Sequence, residues 1–235
     1  MSRLAPPLSW GGKVLLEARG GLWNNTLPVK HAVAVMELAT PLVFTLPHAI
    51  AFWSLLAWAY YKEGQQLKAK KARSAGHDGD DKYSGLVISI GASILQIAAF
   101  VMAFIQPWRV APEYDALMYY AGLGVILAGM LLRVHCWRVL GTFFTHTVTI
   151  ANDHRVVDNG AYKWLRHPSY LGALMTMAGM GMALGNFGSL LLLVVGSLAI
   201  YIYRIEVEET ALETALGEAY TQFKKSRKRL IPFVY

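Results

Sequence analysis

The sequence is poor in the residues that build disulfides and metal sites. It has one cysteine, Cys136, among 235 residues, which excludes an intramolecular disulfide and a cysteine-rich metal cluster. His135, His146 and His154 do not have the HExxH spacing of a helical zinc site. We therefore expect no metal ion in this protein.

The sequence also lacks the signature of a soluble nucleotide-binding domain. A GxG motif occurs at Gly122-Leu123-Gly124, but it lies inside an apolar run. A dinucleotide fingerprint would instead follow a strand and open a helix. No Rossmann-type domain is predicted.

Charge is missing over long stretches. Residues 171–203 contain no Lys, Arg, Asp or Glu. The chain is 55% hydrophobic with a mean hydropathy of +0.36, which is too apolar for an ordinary soluble fold, and we expect an all-α integral membrane protein. Its net charge of +7 then indicates the excess of Lys and Arg on one side of a membrane, rather than a nucleic-acid surface.

The apolar runs predict about five membrane spans in one polytopic domain, 1–235. Residues 1–35 read as an interfacial lead-in rather than a cleaved signal, because prolines and Glu17 interrupt them. Three spans fall within 36–140, and the catalytic region is expected within 141–235. The predicted spans are 36–61, with Pro41 and Pro47 as kinks, then 84–105, 116–134, 171–184 and 187–207.

The distribution of Lys and Arg predicts the orientation. Residues 62–82, a predicted hydrophilic loop, carry six Lys or Arg, whereas 106–115 carry one and 185–186 none. By the positive-inside rule the N-terminus is expected outside and the C-terminus in the cytoplasm. The small size of the chain suggests a prokaryotic plasma membrane.

The last two spans are predicted to form a helical hairpin. The apolar segment is too long for one helix across a bilayer, and Gly185-Asn186 offers a turn near its middle. Gly181, Gly185 and Ser189 are four residues apart and would allow two backbones to approach closely. The alternative is that these residues only reflect the high glycine content of membrane helices.

Two polar segments flank this hairpin: HRVVDNGAYKWLRHPSY at 154–170 and RIEVEE at 204–209. On a helix, Arg204 and Glu208 share one face, Glu206 points elsewhere, and Glu209 lies about 100° from Glu208. This pair is either an ordinary helix-end ion pair or part of a ligand site, since ionisable groups beside a membrane span are costly and often functional.

The order of these motifs resembles a known family. HRVVDNGAYKWLRHPSYLG, a hairpin-length apolar segment, RIEVEE, ALGEAYTQFKK and LIPF are similar to the C-terminal half of isoprenylcysteine carboxyl methyltransferases, within a superfamily that includes phospholipid methyltransferases. The resemblance covers roughly 140–235. It implies S-adenosylmethionine as cofactor in a cytoplasm-facing pocket, and a prenylated, lipophilic substrate that enters from the bilayer.

Position by position, the resemblance implies two groups of site residues. Arg204 would hold the acceptor carboxylate, and Glu208 would face the cofactor, which makes both catalytic. The implied cofactor contacts besides Glu208 are His154, Arg155, Val156, Val157, Tyr162, His167, Pro168, Ser169 and Tyr170. Thr147 stands where animal members have Gln, and Arg155 where they have Thr.

The chemistry of the residues fits this expectation. A sulfonium is a cation, so a carboxylate and the aromatic rings of Tyr162, Trp164 and Tyr170 would favour its binding. A carboxylate acceptor is ionised at neutral pH and needs no general base, whereas a thiol or amine would need one, with His167 or a tyrosine as candidates.

Three alternatives remain open at this point. The acceptor could be a small thiol, an amine or a lipid head group instead of a prenylcysteine. The chain could be a membrane NADPH-dependent reductase of the sterol type, although Glu208 favours a cationic ligand over a dinucleotide phosphate. It could also be a membrane protein without catalytic activity that has kept this fold.

Overall fold

The computed structural model describes residues 40–73, 82–105, 108–141 and 158–230. Within these ranges, the side chains of 70–73 and 82–87 are not described. All of the described residues belong to one compact unit, Thr40–Tyr235. The predicted lead-in, 1–35, lies outside the described residues, as do His154, Arg155, Val156 and Val157.

The described part of the chain is helical. Its pairing between extended segments is limited to two isolated bridges, Arg109 with Asn186 and Leu165 with Lys228. This confirms the all-α class. The helices are α1 (His48–Arg73), α2 (Lys82–Met102), α3 (Pro112–Leu140), α4 (Pro168–Ala183), α5 (Phe187–Leu216) and α6 (Glu218–Ser226), with short 3₁₀ turns at Leu42–Phe44 and Gly160–Lys163.

The first helix differs from its prediction. It begins at His48, so Pro41 and Pro47 precede it instead of kinking it, and it continues to Arg73. The prediction that 62–82 is a loop is therefore wrong for 62–73. The reason is composition: this part is rich in Gln, Lys and Ala, which are strong helix formers even where no apolar stripe is present.

The remaining helices overlap the other predicted spans. Proline occupies the first position of both α3 and α4, where its missing N–H costs nothing. By length and apolar composition, two of the described helices could each cross a membrane, Pro112–Leu140 and Phe187–Leu216. Ile88–Met102 is a shorter apolar helix, so the described residues do not establish the count of five spans.

Helices α3 and α4 pack backbone against backbone through glycine. A Cβ added to Gly122 would lie 2.5 Å from the carbonyl oxygen of Gly179, and one added to Gly129 would lie 2.5 Å from that of Gly172. The reverse additions meet the same partners at 2.6 and 2.7 Å. Such close approach is a main source of helix association in lipid, where hydrophobic burial gives little.

The predicted hairpin is present. Gly185 turns the chain with φ +62°, a conformation that favours glycine, and Asn186 caps α5 by accepting a hydrogen bond from the Ser189 N–H at 3.0 Å. A Cβ on Gly181 would lie 2.5 Å from the Cα of Leu190. Close packing near the turn, which Gly181 was predicted to allow, is therefore confirmed.

The two ends of the helix bundle differ in character. At one end the hairpin turn contacts the segment before α3, because the Val110 N–H donates to the Gly185 carbonyl at 2.9 Å and the Asn186 amide donates to the Ile105 carbonyl at 3.1 Å. The charged residues of α5, from Arg204 onward, lie at the opposite end. This end holds the candidate site.

The glycine contact between α3 and α4 yields a first prediction. Replacing Gly122 by alanine forces the two backbones apart, and overpacking of this kind costs about 1–3 kcal/mol. We expect the Gly122→Ala protein to unfold at a temperature several degrees lower than the wild type when melting is followed in detergent.

Gly124→Ala is the matched control. Gly124 lies on the same helix, two residues away, and a Cβ there has nothing within 4 Å. Since alanine is the better helix former, this variant should melt at or above the wild-type temperature. Equal melting temperatures for Gly122→Ala and Gly124→Ala would contradict the packing described above.

Candidate functional site

The charged end of α5 carries the two residues, Arg204 and Glu208, that were singled out in the sequence. Arg204 is buried, with 5% of its surface exposed, whereas the Glu208 side chain keeps 28% exposed. Glu206 is exposed and points away from them, as its position on the helix predicted. Arg204 and Glu208 therefore face the interior of the protein together.

Tyr170 of α4 joins these two residues. Its hydroxyl donates a hydrogen bond to Oε2 of Glu208 at 2.6 Å, and the Arg204 side chain hydrogen-bonds to the same hydroxyl. The ring stacks on Tyr201, with centroids 5.5 Å apart and planes at 25°. A guanidinium, a phenol and a carboxylate thus form one continuous hydrogen-bonded row.

Glu209 lies at the centre of an ion cluster. Its carboxylate is 3% exposed, and its Oε1 lies 3.0 Å from Nη1 of Arg166 and 3.1 Å from Nε2 of His167. Its Oε2 lies 3.6 Å from Nζ of Lys224 and 3.4 Å from Nη2 of Arg229. One buried carboxylate thereby links α5 to the RHPSY segment, to α6 and to the segment that follows α6.

Backbone hydrogen bonds reinforce this link. The N–H of Arg166 donates to the carbonyl of Lys228 at 2.8 Å, and that of His167 donates to the carbonyl of Arg229 at 3.1 Å. Helix α6 buries Tyr220 and Phe223, and burial together with nearby Glu209 raises the pKa of the Tyr220 hydroxyl. The C-terminal segment therefore holds the RHPSY segment in place.

The three residues His167, Pro168 and Ser169 are all buried. His167 lies between two carboxylates, since its Nδ1 is 4.0 Å from Oε1 of Glu208 while its Nε2 faces Glu209. Pro168 begins α4, and the Ser169 carbonyl accepts a hydrogen bond from Nη1 of Arg133 at 3.2 Å. Their described contacts are with the protein, and a cofactor role for them stays a prediction.

The aromatic residues of this region separate into two environments. Tyr162 is buried, 7% exposed, next to Cys136, and burial raises the pKa of its hydroxyl. Trp164, by contrast, is 64% exposed, with Nζ of Lys163 5.7 Å from its ring centroid. The described residues do not test the expectation that the Trp164 ring faces the cofactor, which stays a prediction.

The ion pair of Arg133 and Glu63 in this region was not predicted from the sequence. Arg133 forms an ion pair with Glu63 of α1, with Nε 2.6 Å from Oε1, and its guanidinium lies 5.2 Å from the Trp137 ring. The available signal was a cation at the end of an apolar run, which is expensive unless it is paired.

The described residues do not outline the predicted cofactor pocket. A shallow surface concavity lies on another face of α5, lined by Tyr203, Glu206, Val207, Thr210 and Ala211, and it includes neither Arg204 nor Glu208. Within 40–73, 82–105, 108–141 and 158–230, no group of three His, Cys, Asp or Glu side chains is arranged to hold a metal ion.

Comparison with known proteins points to one family. Residues 122–214 match the model of the isoprenylcysteine carboxyl methyltransferase family. This region holds the RHPSY segment, the hairpin, Arg204 and Glu208. Over this region the chain is similar to the isoprenylcysteine carboxyl methyltransferase family.

Individual relatives agree with the family match. The protein-S-isoprenylcysteine O-methyltransferase of Schizosaccharomyces pombe is 34% identical over 116 residues, which are 48% of this chain and 49% of that protein. Protein-S-isoprenylcysteine O-methyltransferase B of Arabidopsis thaliana is 32% identical over 115 residues, 48% of this chain and 58% of that protein. The chain spans about half the length of the curated relatives it matches. These relatives are eukaryotic, so they give no support to the expected prokaryotic membrane.

A solved structure extends the comparison to the fold. The eukaryotic intramembrane Ras methyltransferase ICMT (isoprenylcysteine carboxyl methyltransferase) superposes with a TM-score of 0.62 at 24% identity, over 82% of this chain and 70% of that one. At this identity the likeness concerns the fold. The helices of this chain are arranged as in that structure.

The ion cluster yields a second prediction. Glu209→Gln keeps the shape of the side chain but leaves its basic neighbours in a buried site without their carboxylate, and breaking a buried ion pair in this way costs about 3–5 kcal/mol. We expect a clearly lower melting temperature and faster proteolysis of the chain after α5, measured by limited digestion in detergent.

Glu206→Gln serves as the control, because the same substitution is made three residues away on the exposed face of α5. It should leave both measurements unchanged. A Glu209→Gln protein as stable as Glu206→Gln would show that the cluster does not hold the C-terminal segment.

Proposed function

We propose that this protein is an S-adenosylmethionine-dependent methyltransferase that esterifies the carboxylate of a prenylcysteine-like, lipophilic substrate. The observation that carries the proposal is the row formed by Arg204, Tyr170 and Glu208, which places a cationic and an anionic binding group side by side. This row lies within the part of the chain that matches the family. The relatives named above as protein-S-isoprenylcysteine O-methyltransferases support the same reaction.

The carboxylate of Glu208 in this row fits the proposed cofactor. Glu208 uses Oε2 for Tyr170 and remains partly exposed, so it can also face a positive charge. When bound, S-adenosylmethionine supplies an electrophilic methyl group on a sulfonium sulfur. A carboxylate beside such a cation stabilises it by direct charge attraction, and more strongly in a site with little water.

Arg204 fits the proposed acceptor. A guanidinium holds a carboxylate through two parallel hydrogen bonds and stays charged at any physiological pH. Arg204 would therefore orient the acceptor without exchanging a proton. An ionised carboxylate needs no base, so Arg204 would only have to orient its oxygen toward the methyl group that S-adenosylmethionine would supply when bound. The products are a methyl ester and S-adenosylhomocysteine.

Tyr170 would couple the two binding groups. Its hydroxyl receives a hydrogen bond from Arg204 and donates one to Glu208. The orientation of each charged side chain is therefore restrained by the same phenol. Alignment of the two reactants can supply several kcal/mol of the barrier to reaction. We assign Tyr170 to this alignment, and we place the site in the cytoplasm, at the side predicted by the Lys and Arg count.

No observation favours the reductase alternative. A dinucleotide phosphate is anionic, whereas Arg166 and Arg229, the cations near the row, are engaged with Glu209. The carboxylate that is partly free to meet a ligand, Glu208, would repel it.

The proposed reaction can be tested with purified protein in lipid nanodiscs, methyl-labelled S-adenosylmethionine and three acceptors: farnesylcysteine, a small thiol and an amino-phospholipid. We expect label on farnesylcysteine that alkali releases as methanol, which identifies a carboxyl methyl ester. Alkali-stable label on the thiol or the lipid would contradict the proposal that the acceptor is a prenylcysteine carboxylate. Binding of S-adenosylmethionine without transfer of the label to any of the three acceptors would contradict the proposed methyltransferase activity.

The roles of Arg204 and Glu208 yield a third prediction. Loss of a hydrogen bond to a charged group costs about 1.5–3 kcal/mol, which corresponds to roughly 10–150-fold in affinity. Arg204→Ala should raise the KM of the acceptor by about this factor, and Glu208→Gln that of the donor. Steady-state kinetics with each substrate varied in turn separates the two, and a reversed assignment would contradict the roles proposed here.

Tyr170→Phe and Tyr201→Phe form a matched pair. The rings stack on each other, but only the Tyr170 hydroxyl belongs to the row. We expect Tyr170→Phe to lower kcat by about tenfold or more with little change in melting temperature, and Tyr201→Phe to retain most activity. Similar kcat values for both variants would contradict the role of the Tyr170 hydroxyl in aligning the two reactants.

A further inference from the structure

Three exposed lysines near the site have no acidic partner among the described residues. They are Lys163, Lys225 and Lys228. The acidic side chains around them are already engaged: Glu209 within its cluster, Glu213 with Lys224, and Asp158 with Arg227. Within the part of the chain that the structure describes, these three lysines are therefore exposed positive charges without an acidic partner.

The fold brings these lysines and one tryptophan to the same region. The bridge between Leu165 and Lys228 sets the turn that carries Lys163 and Trp164 beside the segment after α6. Lys225 lies in the last turn of α6, three residues before Lys228. We call Lys163, Trp164, Lys225 and Lys228 the basic rim.

The exposure of Trp164 indicates what the rim contacts. Its indole is 64% exposed and lies four residues before α4 begins at Pro168, where the chain enters the apolar hairpin. Exposed tryptophans at the ends of membrane helices lie at the level of the lipid headgroups. Lysines at the same level meet the phosphates of anionic lipids, and a lysine at the membrane surface contributes at most roughly a fivefold increase in association.

We propose that the basic rim binds the headgroups of anionic phospholipids in the adjacent leaflet. Charge complementarity supplies the attraction, and the indole of Trp164 inserts between the headgroups. A free phosphate ion would satisfy the lysines but would not bury this indole. The proposal concerns a lipid-binding surface and does not depend on the proposed methyl transfer.

The test uses the full chain reconstituted in vesicles that contain a trace of spin-labelled phosphatidylglycerol or phosphatidylcholine. The fraction of each label that is immobilised by the protein gives their relative association constant. We expect the wild type to prefer phosphatidylglycerol several-fold. A Lys163→Gln, Lys225→Gln, Lys228→Gln variant should lower that preference by about fivefold or more.

A charge-matched variant provides the control. Lys62→Gln, Lys68→Gln and Arg138→Gln remove the same number of positive charges from partly or fully exposed positions at the same end of the bundle. This variant should keep most of the preference, as should the wild type when inorganic phosphate replaces chloride at equal ionic strength. Melting temperatures of both variants confirm that they are folded.

Trp164→Ala tests the indole separately. It should reduce the immobilised fraction of both lipids while leaving the lysine-dependent preference in place. The proposal is overturned if the rim variant keeps the wild-type preference for phosphatidylglycerol, which would indicate that the lysines bind a soluble partner instead. It is also overturned if the control variant loses as much of this preference as the rim variant does, or if phosphate displaces the lipid.

Discussion

The carboxylate of Glu209 is the contact on which the charged end of this protein depends. Four basic side chains from three segments of the chain meet it: Arg166, His167, Lys224 and Arg229. A buried ion pair gains little stability on balance, because desolvation offsets the attraction, but removing one partner is costly. The cluster therefore fixes geometry: it holds the start of α4 against the end of α5.

The consequence of that geometry is the row of Arg204, Tyr170 and Glu208. Tyr170 lies two residues after Pro168 on α4, and its two partners lie on α5, so the row exists only while these helix ends stay in register. The hairpin turn at Gly185 and Asn186 sets the register at one end, and Glu209 sets it at the other. Backbone contact between Gly122 and Gly179 anchors α4 to α3 in between.

Some of this architecture could be predicted from the sequence because the signals were local. Gly185-Asn186 interrupts an apolar run that is too long for one helix, and the four-residue spacing of Arg204 and Glu208 fixes their common face. The resemblance of 140–235 to a methyltransferase family then gave a role to residues that, taken alone, read equally well as a helix-end ion pair.

The ion pairs of the site could not be predicted, because they join segments that are distant in the sequence and no local pattern reveals them. Glu209 differs from Glu208 only by its direction on the helix, and its partners come from 166–167 and 224–229. Likewise, Arg133 and Glu63 are far apart in sequence. The extension of α1 to Arg73 was missed for another reason, since a helix without an apolar stripe has the composition of a loop.

The central claim is that Arg204 and Glu208 hold the two reactants on either side of Tyr170. It is tested most directly by an experimental structure of the protein in lipid nanodiscs with S-adenosylhomocysteine and farnesylcysteine bound. The account predicts the acceptor carboxylate paired with the Arg204 guanidinium, and the cofactor sulfur on the Glu208 side of Tyr170. A cofactor bound elsewhere, or an acceptor carboxylate held away from Arg204, would contradict it.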